Sequence, residues 1–332
     1  MSFNIKIDNL SIGYGTRGKD HFILRDGLCY SANKGEMVAL IGSNGIGKST
    51  LLRSLVGFQD YFLGDVTING RSVKSFSVQE RARMISFVST EVISISNMNV
   101  YDLVAYGRFP HTNQFGRISG HDKVIIDKAI SDVGLQGFEG KSIAQISDGE
   151  RQRAMIARAL AQDTPIIILD EPTAFLDISN KYEIFHLLQV VAREQQKTIV
   201  LSTHDLNIAL REVDKLWILL ENKTYEGSPE DAVLAGQMDE LFTNSHIGFD
   251  SEEGEYFFKK DFREKVKVVG EGVAFIWTFK ALNRLGFQIV TDAPPDFTIH
   301  VSGNEIFTWE LYRKDNPVLQ FNSIYEMFRS LV

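Results

Sequence analysis

Residues 42–50 read Gly42-Ser43-Asn44-Gly45-Ile46-Gly47-Lys48-Ser49-Thr50, which fills every position of the phosphate-loop pattern G-x-x-x-x-G-K-[ST]. No other stretch limits the fold as strongly, because such a loop needs a strand before it and a helix after it. The apolar run 37–41 reads as that strand and 48–56 as that helix, with Gly57 placed to end it. The glycines let the backbone curl until successive N–H groups point at one anion. The helix N-terminus adds the positive end of its dipole. In this setting Lys48 reaches the β- and γ-phosphates of a nucleoside triphosphate and Ser49 holds Mg2+. A glycine-rich turn without a ligand is the bland alternative, and the complete motif with both flanks correct argues against it.

At 332 residues the chain has room for two domains and a large core. A hydrophobic content of 44% and a charged content of 23% are ordinary for a soluble globular protein. The net charge of −8 argues against a nucleic-acid partner. The single cysteine, Cys29, cannot form an internal disulfide. Between Leu28 and Tyr30 it reads as a buried strand thiol in a cytosolic chain. The opening MSFNIKIDNL lacks the apolar core of a signal peptide, and no apolar run approaches ~18 residues. Any membrane role is therefore expected to be that of a peripheral subunit.

Residues 4–10 alternate apolar and polar, as a half-buried strand does. Tyr14 is expected in a Gly13-Tyr14-Gly15 turn, where its ring either stacks on a base or anchors the turn. Residues 22–32 read as one strand or two, closed by the turn signal Asn33-Lys34-Gly35. Beyond the phosphate-loop unit, short strands are expected around 64–69, a helix over 77–83 and a strand over 84–88. Asn97-Met98-Asn99-Val100 opens a helix through Tyr106. Residues 107–120, with Arg108, Phe109, Pro110, His111 and Phe115, read as a loop, and 122–133 as a helix.

Ile146-Ser147-Asp148-Gly149-Glu150 is the second informative motif. Ser147 and Glu150 have capping-box spacing, so a helix starts here and runs to about Ala161. Its Arg151, Arg153 and Arg158 form either a solvated face or part of an anion-binding helix start. Four apolar residues, 166–169, suggest a strand covered on both faces of a parallel sheet. Asp170 and Glu171 stand at its C-terminal end, where α/β folds place ligands. An aspartate there holds Mg2+ through water, and a glutamate beside it positions an attacking water. Asp177 and a helix over 180–195 follow, then a second buried strand over 198–202. His204 lies just past that strand, which makes it a candidate for the γ-phosphate against the commoner structural or surface role. A further strand is expected over 216–220, and Ser228-Pro229 starts a helix.

The order of these pieces resembles the ATP-binding-cassette (ABC) ATPases, from about Asn4 to Asn244. The resemblance implies an α/β fold over residues 1–240, with a mixed-sheet P-loop core, an antiparallel β subdomain and a helical subdomain. By matching position, Tyr14 resembles the adenine-stacking aromatic and Gly42 to Ser49 the Walker A loop. Ile146 to Glu150 stands where the family signature LSGGQ sits. Residues 166–171 resemble Walker B, with Glu171 as catalytic base, Asp177 as the D-loop aspartate and His204 as the switch histidine. In this family two cassettes pair head to tail, and each ATP lies between the Walker A loop of one and the signature of the other. The implied cofactors are ATP and Mg2+. The implied nucleotide contacts are Tyr14, Gly42, Ser43, Asn44, Gly45, Ile46, Gly47, Lys48, Ser49 and Thr50. Lys48, Glu171 and His204 are the implied catalytic groups, with Ser49 and Asp170 on the metal. Ser147, Asp148, Gly149 and Glu150 would act on the ATP of a second copy.

A narrower resemblance lies in YDLVAYGRFPHTNQFG, residues 101–116. It is similar to the "ELVAxGRxPH" segment of importers for iron–siderophore complexes, haem and cobalamin, which faces the permease. The function implied is ATP hydrolysis that drives import of such a chelate. The implied partners are a second copy of the chain in a homodimer, a polytopic permease and, indirectly, an external solute-binding protein. The place implied is the cytoplasmic face of the cell (inner) membrane. The alternative is a non-transport cassette associated with ribosomes or nucleic acid. Those usually carry a coiled-coil insertion or two cassettes, and this sequence shows neither. A sensor that binds ATP without hydrolysing it is disfavoured by Glu171 and encouraged by Thr90.

Three departures from the pattern stand out. Thr90, with Glu91 beside it, occupies the place of the Q-loop glutamine, so that metal contact is lost, bridged by water or taken by Glu91. Asp148 replaces a signature glycine and is expected to point away from the phosphate. Finally, residues 241–332 extend past the cassette with enough strand and helix pattern for a small α+β domain, expected to be either a regulatory or dimer-contact domain or an accessory one that stabilises the cassette.

Overall fold

The computed structural model describes residues 4–15, 21–90, 98–112, 116–243, 245–303, 305–314 and 316–331. Glu91, Asn97 and Phe115, singled out above, lie outside the described residues. The chain divides into two units, Met1–Thr243 with Phe249–Glu255, and Asn244–Gly248 with Tyr256–Val332.

The first unit opens with β1 (Ile5–Gly15), β2 (His21–Ala32) and β3 (Met37–Gly42), and α1 (Lys48–Leu55) follows the phosphate loop. With β4 (Leu63–Ile68) and β5 (Arg71–Ser72), the first two strands make an antiparallel sheet in the order β2-β1-β4-β5. The helix α2 (Val78–Met84), entered through a Ser77–Glu80 capping box, leads to β6 (Ile85–Val88). A helical layer follows, of α3 (Val100–Ala105), α4 (Gly120–Asp132) and α5 (Asp148–Ala161). The chain then alternates through β7 (Ile166–Leu169), α6 (Ile178–Glu194), β8 (Thr198–Ser202), α7 (Leu206–Glu212), β9 (Lys215–Leu219) and β10 (Thr224–Gly227). The second sheet runs β10-β9-β3-β8-β7-β6 and is parallel except for β10. The short helices α8 (Pro229–Leu234) and α9 (Gln237–Glu240) come last.

The patterning explains this arrangement. In β1, Ile5 and Ile7 are buried and Lys6 and Asp8 are exposed, the alternation of a sheet with one covered face. β7 and β8 are buried at every position, as strands covered on both faces must be. The core lies between the sheets and α1, where Ile5, Ile7, Leu10 and Ile12 meet Leu40, Leu51, Ile168 and Val200. Each such side chain contributes about 1.5–3 kcal/mol on burial. Tyr30 stacks on Trp217 with ring centres 5.0 Å apart, and its hydroxyl donates to Ile218 O at 2.8 Å. In the parallel register Leu40 pairs Ser202 and Leu169 pairs Leu201, so β3, β7 and β8 all end at one edge of the sheet.

The structure corrects several expectations. Tyr14 is not in a turn: β1 continues through it, and Tyr14 pairs with Phe22 after register shifts earlier in the strand. Cys29 is exposed, not buried. The two-residue period of β2 turns Leu28 and Tyr30 inward and therefore Cys29 outward, although both sequence neighbours are apolar. The stretch after Ala105, expected as loop from 107 on, includes a 3-10 turn over Tyr106–His111. β10 and α7 are short elements outside the expected set, of four and seven residues.

Two short strands, β11 (Ile247–Asp250) and β12 (Glu255–Phe258), form a sheet of their own. The second unit then contains β13 (Lys265–Val269), α10 (Gly272–Leu285), β14 (Gln288–Ile289), β15 (Phe297–Ser302), β16 (Thr308–Arg313), β17 (Leu319–Phe321) and α11 (Ile324–Leu331). Its sheet runs β14-β13-β15-β16-β17, with β13 parallel to both neighbours and the remaining pairs antiparallel. Val266, Phe297, Ile299, Trp309 and Leu311 pack with Leu282, Met327 and Phe328 as a separate core. The buried Trp309 indole N–H is satisfied by Thr278 Oγ1 at 2.7 Å. The unit is α+β as expected.

Candidate functional site

The phosphate loop joins β3 to α1 through Gly47, whose left-handed φ of +113° suits glycine and no bulky residue. As N-cap, Gly47 brings no side chain to the first-turn N–H groups of α1, which leaves them for an external anion. Lys48 is buried and folds back over the loop, where Nζ donates to Gly42 O at 2.9 Å and Ser43 O at 3.2 Å. Burial lowers its pKa, and the carboxylates of Glu171 and Asp170 work against that shift. Arg25 on β2 braces the same loop, donating from Nε to Ile46 O at 2.9 Å and from Nη1 to Glu221 O at 2.7 Å. Tyr14 is exposed, and its hydroxyl lies 3.0 Å from Thr50 Oγ1.

The two acids follow β7. Asp170 is 2% exposed, and its Oδ1 accepts from Ser49 Oγ at 3.0 Å and from Ser202 Oγ at 2.7 Å. The pairing of β7 with β8 makes this possible, because Ser202 closes the neighbouring strand at the same edge. Ser202 Oγ also accepts from the Glu171 N–H at 2.9 Å. Glu171 has a left-handed φ of +49°, a conformation that costs a non-glycine residue of order 1 kcal/mol. The Ser202 bond and a 2.8 Å contact from His204 Nε2 to Glu171 Oε1 hold it there. Beside His204, Asp205 accepts from Thr173 Oγ1 at 2.7 Å and from Lys181 Nζ at 2.6 Å. Asp177 caps α6 by accepting from Asn180 N at 2.8 Å.

The Ser147 motif is the capping box its spacing predicts. Glu150 N donates to Ser147 Oγ at 3.2 Å, and Ser147 N donates to Glu150 Oε2 at 2.7 Å. The bond from Ser147 N also lowers the Glu150 pKa. Asp148 is exposed and accepts from Arg151 Nη1 at 2.6 Å. Gly149 faces α6 closely enough that a Cβ there would sit 2.7 Å from Asn180 Oδ1. The arginines of α5 are not a solvated face: Arg151 donates to Ile146 O at 3.1 Å, Arg153 pairs with Glu183, and Arg158 donates to Phe87 O at 3.1 Å. Thr90, Asp148, Glu171 and Phe175 line one cleft.

Lys48, Ser49, Asp170, Glu171 and His204 therefore gather at one sheet edge. Sequence reasoning missed Ser202, Arg25, Thr173, Asp205 and Lys181 there. Only Ser202 carried a local signal, as the polar residue that closes an apolar strand. Among the described residues no group of three or more His, Cys, Asp or Glu could hold a metal by itself. No helix among them is long and apolar enough to cross a membrane.

A phosphate loop feeding paired acids at the C-terminal edge of a largely parallel sheet defines a P-loop nucleotide-binding cassette. Residues 26–174 match the ABC transporter family, and residues 263–332 match the iron ABC transporter C-terminal domain. An uncharacterized ABC transporter ATP-binding protein of Methanocaldococcus jannaschii is 36% identical over 258 residues, 77% of this chain and 87% of that one. The iron(3+)-hydroxamate import ATP-binding protein of Bacillus subtilis is 38% identical over 63% of this chain and 76% of its own. The ferric enterobactin transport ATP-binding protein of Escherichia coli is 35% identical over 71% and 85%. Among solved structures, a transporter described as metal-chelate type, in an inward-facing conformation, aligns with a TM-score of 0.63 and 27% identity over 77% of this chain and 95% of that one. A dimeric bacterial ABC transporter cassette aligns with a TM-score of 0.59 and 27% identity over 68% and 98%. The chain belongs to the ATP-binding proteins of ABC transporters, and it is an ATPase of that transport-coupled family.

Proposed function

We propose that this chain is the ATP-hydrolysing subunit of an importer for an iron chelate or a related complex of the siderophore, haem or corrinoid class. The match of residues 263–332 to the iron ABC transporter C-terminal domain carries this reading, and the import proteins among the relatives support it. Two copies pair head to tail on a polytopic permease at the cytoplasmic face of the membrane, with an external solute-binding protein acting through that permease. The dimeric state of a cassette with the same fold supports the pairing.

In this reading the β- and γ-phosphates of ATP take the loop N–H groups from Gly42 to Thr50, and Lys48 gives up its loop carbonyls for them. The adenine stacks on Tyr14. Ser49 Oγ and Asp170 Oδ1, 3.0 Å apart, are hard oxygen donors that would hold Mg2+. When bound, Mg2+ supplies charge neutralisation at the phosphate oxygens. Glu171 orients the attacking water and takes its proton. His204, held on Glu171, adds a hydrogen bond at the γ-phosphate. Ser147, Gly149 and Glu150 of the second copy close the site. The Asp148 carboxylate is kept on Arg151 and off the phosphate. Asp177 starts the helix beside that joint. Thr90 offers only a short hydroxyl toward the metal.

Replacing Glu171 by Gln tests the site. ATP binding should persist while turnover falls about 10²–10⁴-fold. Turnover near wild type in that variant would remove Glu171 from its role. Co-purification tests the partner: a polytopic membrane subunit is expected, and ribosomes or DNA in its place would overturn transport.

A further inference from the structure

We infer that Lys181 is a positioning residue for hydrolysis, acting through Asp205 on the Glu171–His204 pair. This rests on the proposal that Glu171 is the base. Asp205 is the N-cap residue of α7, where an aspartate ordinarily accepts from its own helix's first-turn N–H groups. It makes no such bond here. Its carboxylate instead reaches out of the helix, with Oδ2 accepting from Thr173 Oγ1 at 2.7 Å and Oδ1 from Lys181 Nζ at 2.6 Å. Thr173 is buried and lies two residues past Glu171, and Asp205 directly follows His204. One carboxylate therefore fastens the segment carrying the base to the segment carrying the histidine that holds it. The second tie runs to the first turn of α6, since Lys181 N donates to Asp177 O at 3.0 Å.

The cation decides which of two positions the Asp205 carboxylate takes. Lys181 and Asp205 are 25% and 22% exposed, so their attraction is less screened than that of a surface pair. Without the ammonium, the start of α7 becomes its best alternative: Leu206 N and Ile208 N already donate to the His204 and Asp205 carbonyls, but the Asp205 side chain makes no cap bond there. Rotation onto the α7 N–H groups releases Thr173 and lets the Thr203–Asp205 loop relax. His204 Nε2 then loses its 2.8 Å register on Glu171 Oε1. Neither Lys181 nor Asp205 is a phosphate-loop residue, so the nucleotide's own ground-state contacts should survive.

The test uses the purified full-length chain and compares K181M, K181R, D205N and K181M/D205N with wild type. ATPase kinetics, binding of a fluorescent ATP analogue and thermal melting are measured on each, with E171Q as reference. Expected for K181M is a kcat about five- to tenfold lower, with KM and analogue affinity within about twofold of wild type. K181R keeps the cation and should recover most of that loss. The double variant should be no slower than the worse single one, because both changes break one tie. Wild-type kcat in K181M, a loss that follows only a lower melting temperature, or a K181R as slow as K181M would each overturn the inference. Multiplicative losses in the double variant would overturn it as well. If E171Q still turns over, the assignment of the base fails and takes the positioning role with it. If E171Q is inactive while K181M is unimpaired, only the positioning role is lost.

Discussion

Asp122 and Asp170 are almost equally buried, at 5% and 2% exposed, yet their surroundings treat them in opposite ways. Asp122 sits at the start of α4 in the helical layer. Arg108 Nε donates to it at 2.8 Å, and Ser119 gives its N–H at 2.9 Å and its hydroxyl at 2.6 Å. Arg108 in turn donates to Ala161 O at 2.8 Å, so both charges are answered within the fold. Asp170 at the end of β7 accepts from two hydroxyls, Ser49 and Ser202. Among the described residues no cation hydrogen-bonds to it, and Lys48, which feels its charge, donates to loop carbonyls instead. Burying a charge is costly unless it is paired. A fold that completes the pair at Asp122 and leaves it open at Asp170 sets a structural acid apart from the one proposed to meet a ligand.

The contrast can be broken at either end, and the largest effect is expected at Asp170. D170N should cut ATP turnover about 10²–10³-fold. Its melting temperature should hold or rise, because an amide is cheaper to bury than an unpaired carboxylate and still accepts from both serines. A large loss of stability in D170N would make Asp170 structural after all. The reverse pattern is expected of R108M, which strands a buried carboxylate. Denaturant unfolding should show a loss of about 3–5 kcal/mol, with KM for ATP unchanged.

Acid sharpens the same difference. Chiefly the Ser119 hydroxyl, then its N–H and Arg108, hold the Asp122 pKa at about 2 against an ordinary 3.8. In falling pH the unfolded chain takes up this proton first. The stability from Asp122 is therefore complete above about pH 4 and is lost as pH falls toward about 2. Wild type and D122N should converge in urea midpoint across that window, and a constant gap would contradict the pairing. The smallest effect belongs to S202A. It removes the hydroxyl shared by Asp170 and the Glu171 N–H, and should cost about 1 kcal/mol of stability, with a several-fold fall in kcat at unchanged ATP affinity. An unchanged kcat would separate Ser202 from the alignment of Glu171.

Local chemistry was legible in the sequence, and geometry set by pairing between strands was not. The phosphate loop, the β7 strand with its two acids and the Ser147 capping box are contiguous patterns, and each lies where its spacing placed it. The bonds of Ser202 to Asp170 and of Lys181 to Asp205 span 32 and 24 residues. They depend on which strands are neighbours and in what register, and no local period encodes that. A helix pattern shows the charge of Arg158 and not the carbonyl of Phe87 to which it donates. The two glycines around Tyr14 suggest a turn, but the partners offered by β2 extend the strand through it. Apolar neighbours suggest a buried Cys29, but the strand period turns it away from them.

That outward thiol has a practical side. Cys29 is the only cysteine in the chain and it is exposed. A spin label or fluorophore can be attached there by thiol chemistry without first removing another reactive group. Every molecule would carry its reporter at the same point on β2. In the proposed pair there would be two such reporters, and the distance between them would show whether the cassettes move as ATP is bound and hydrolysed.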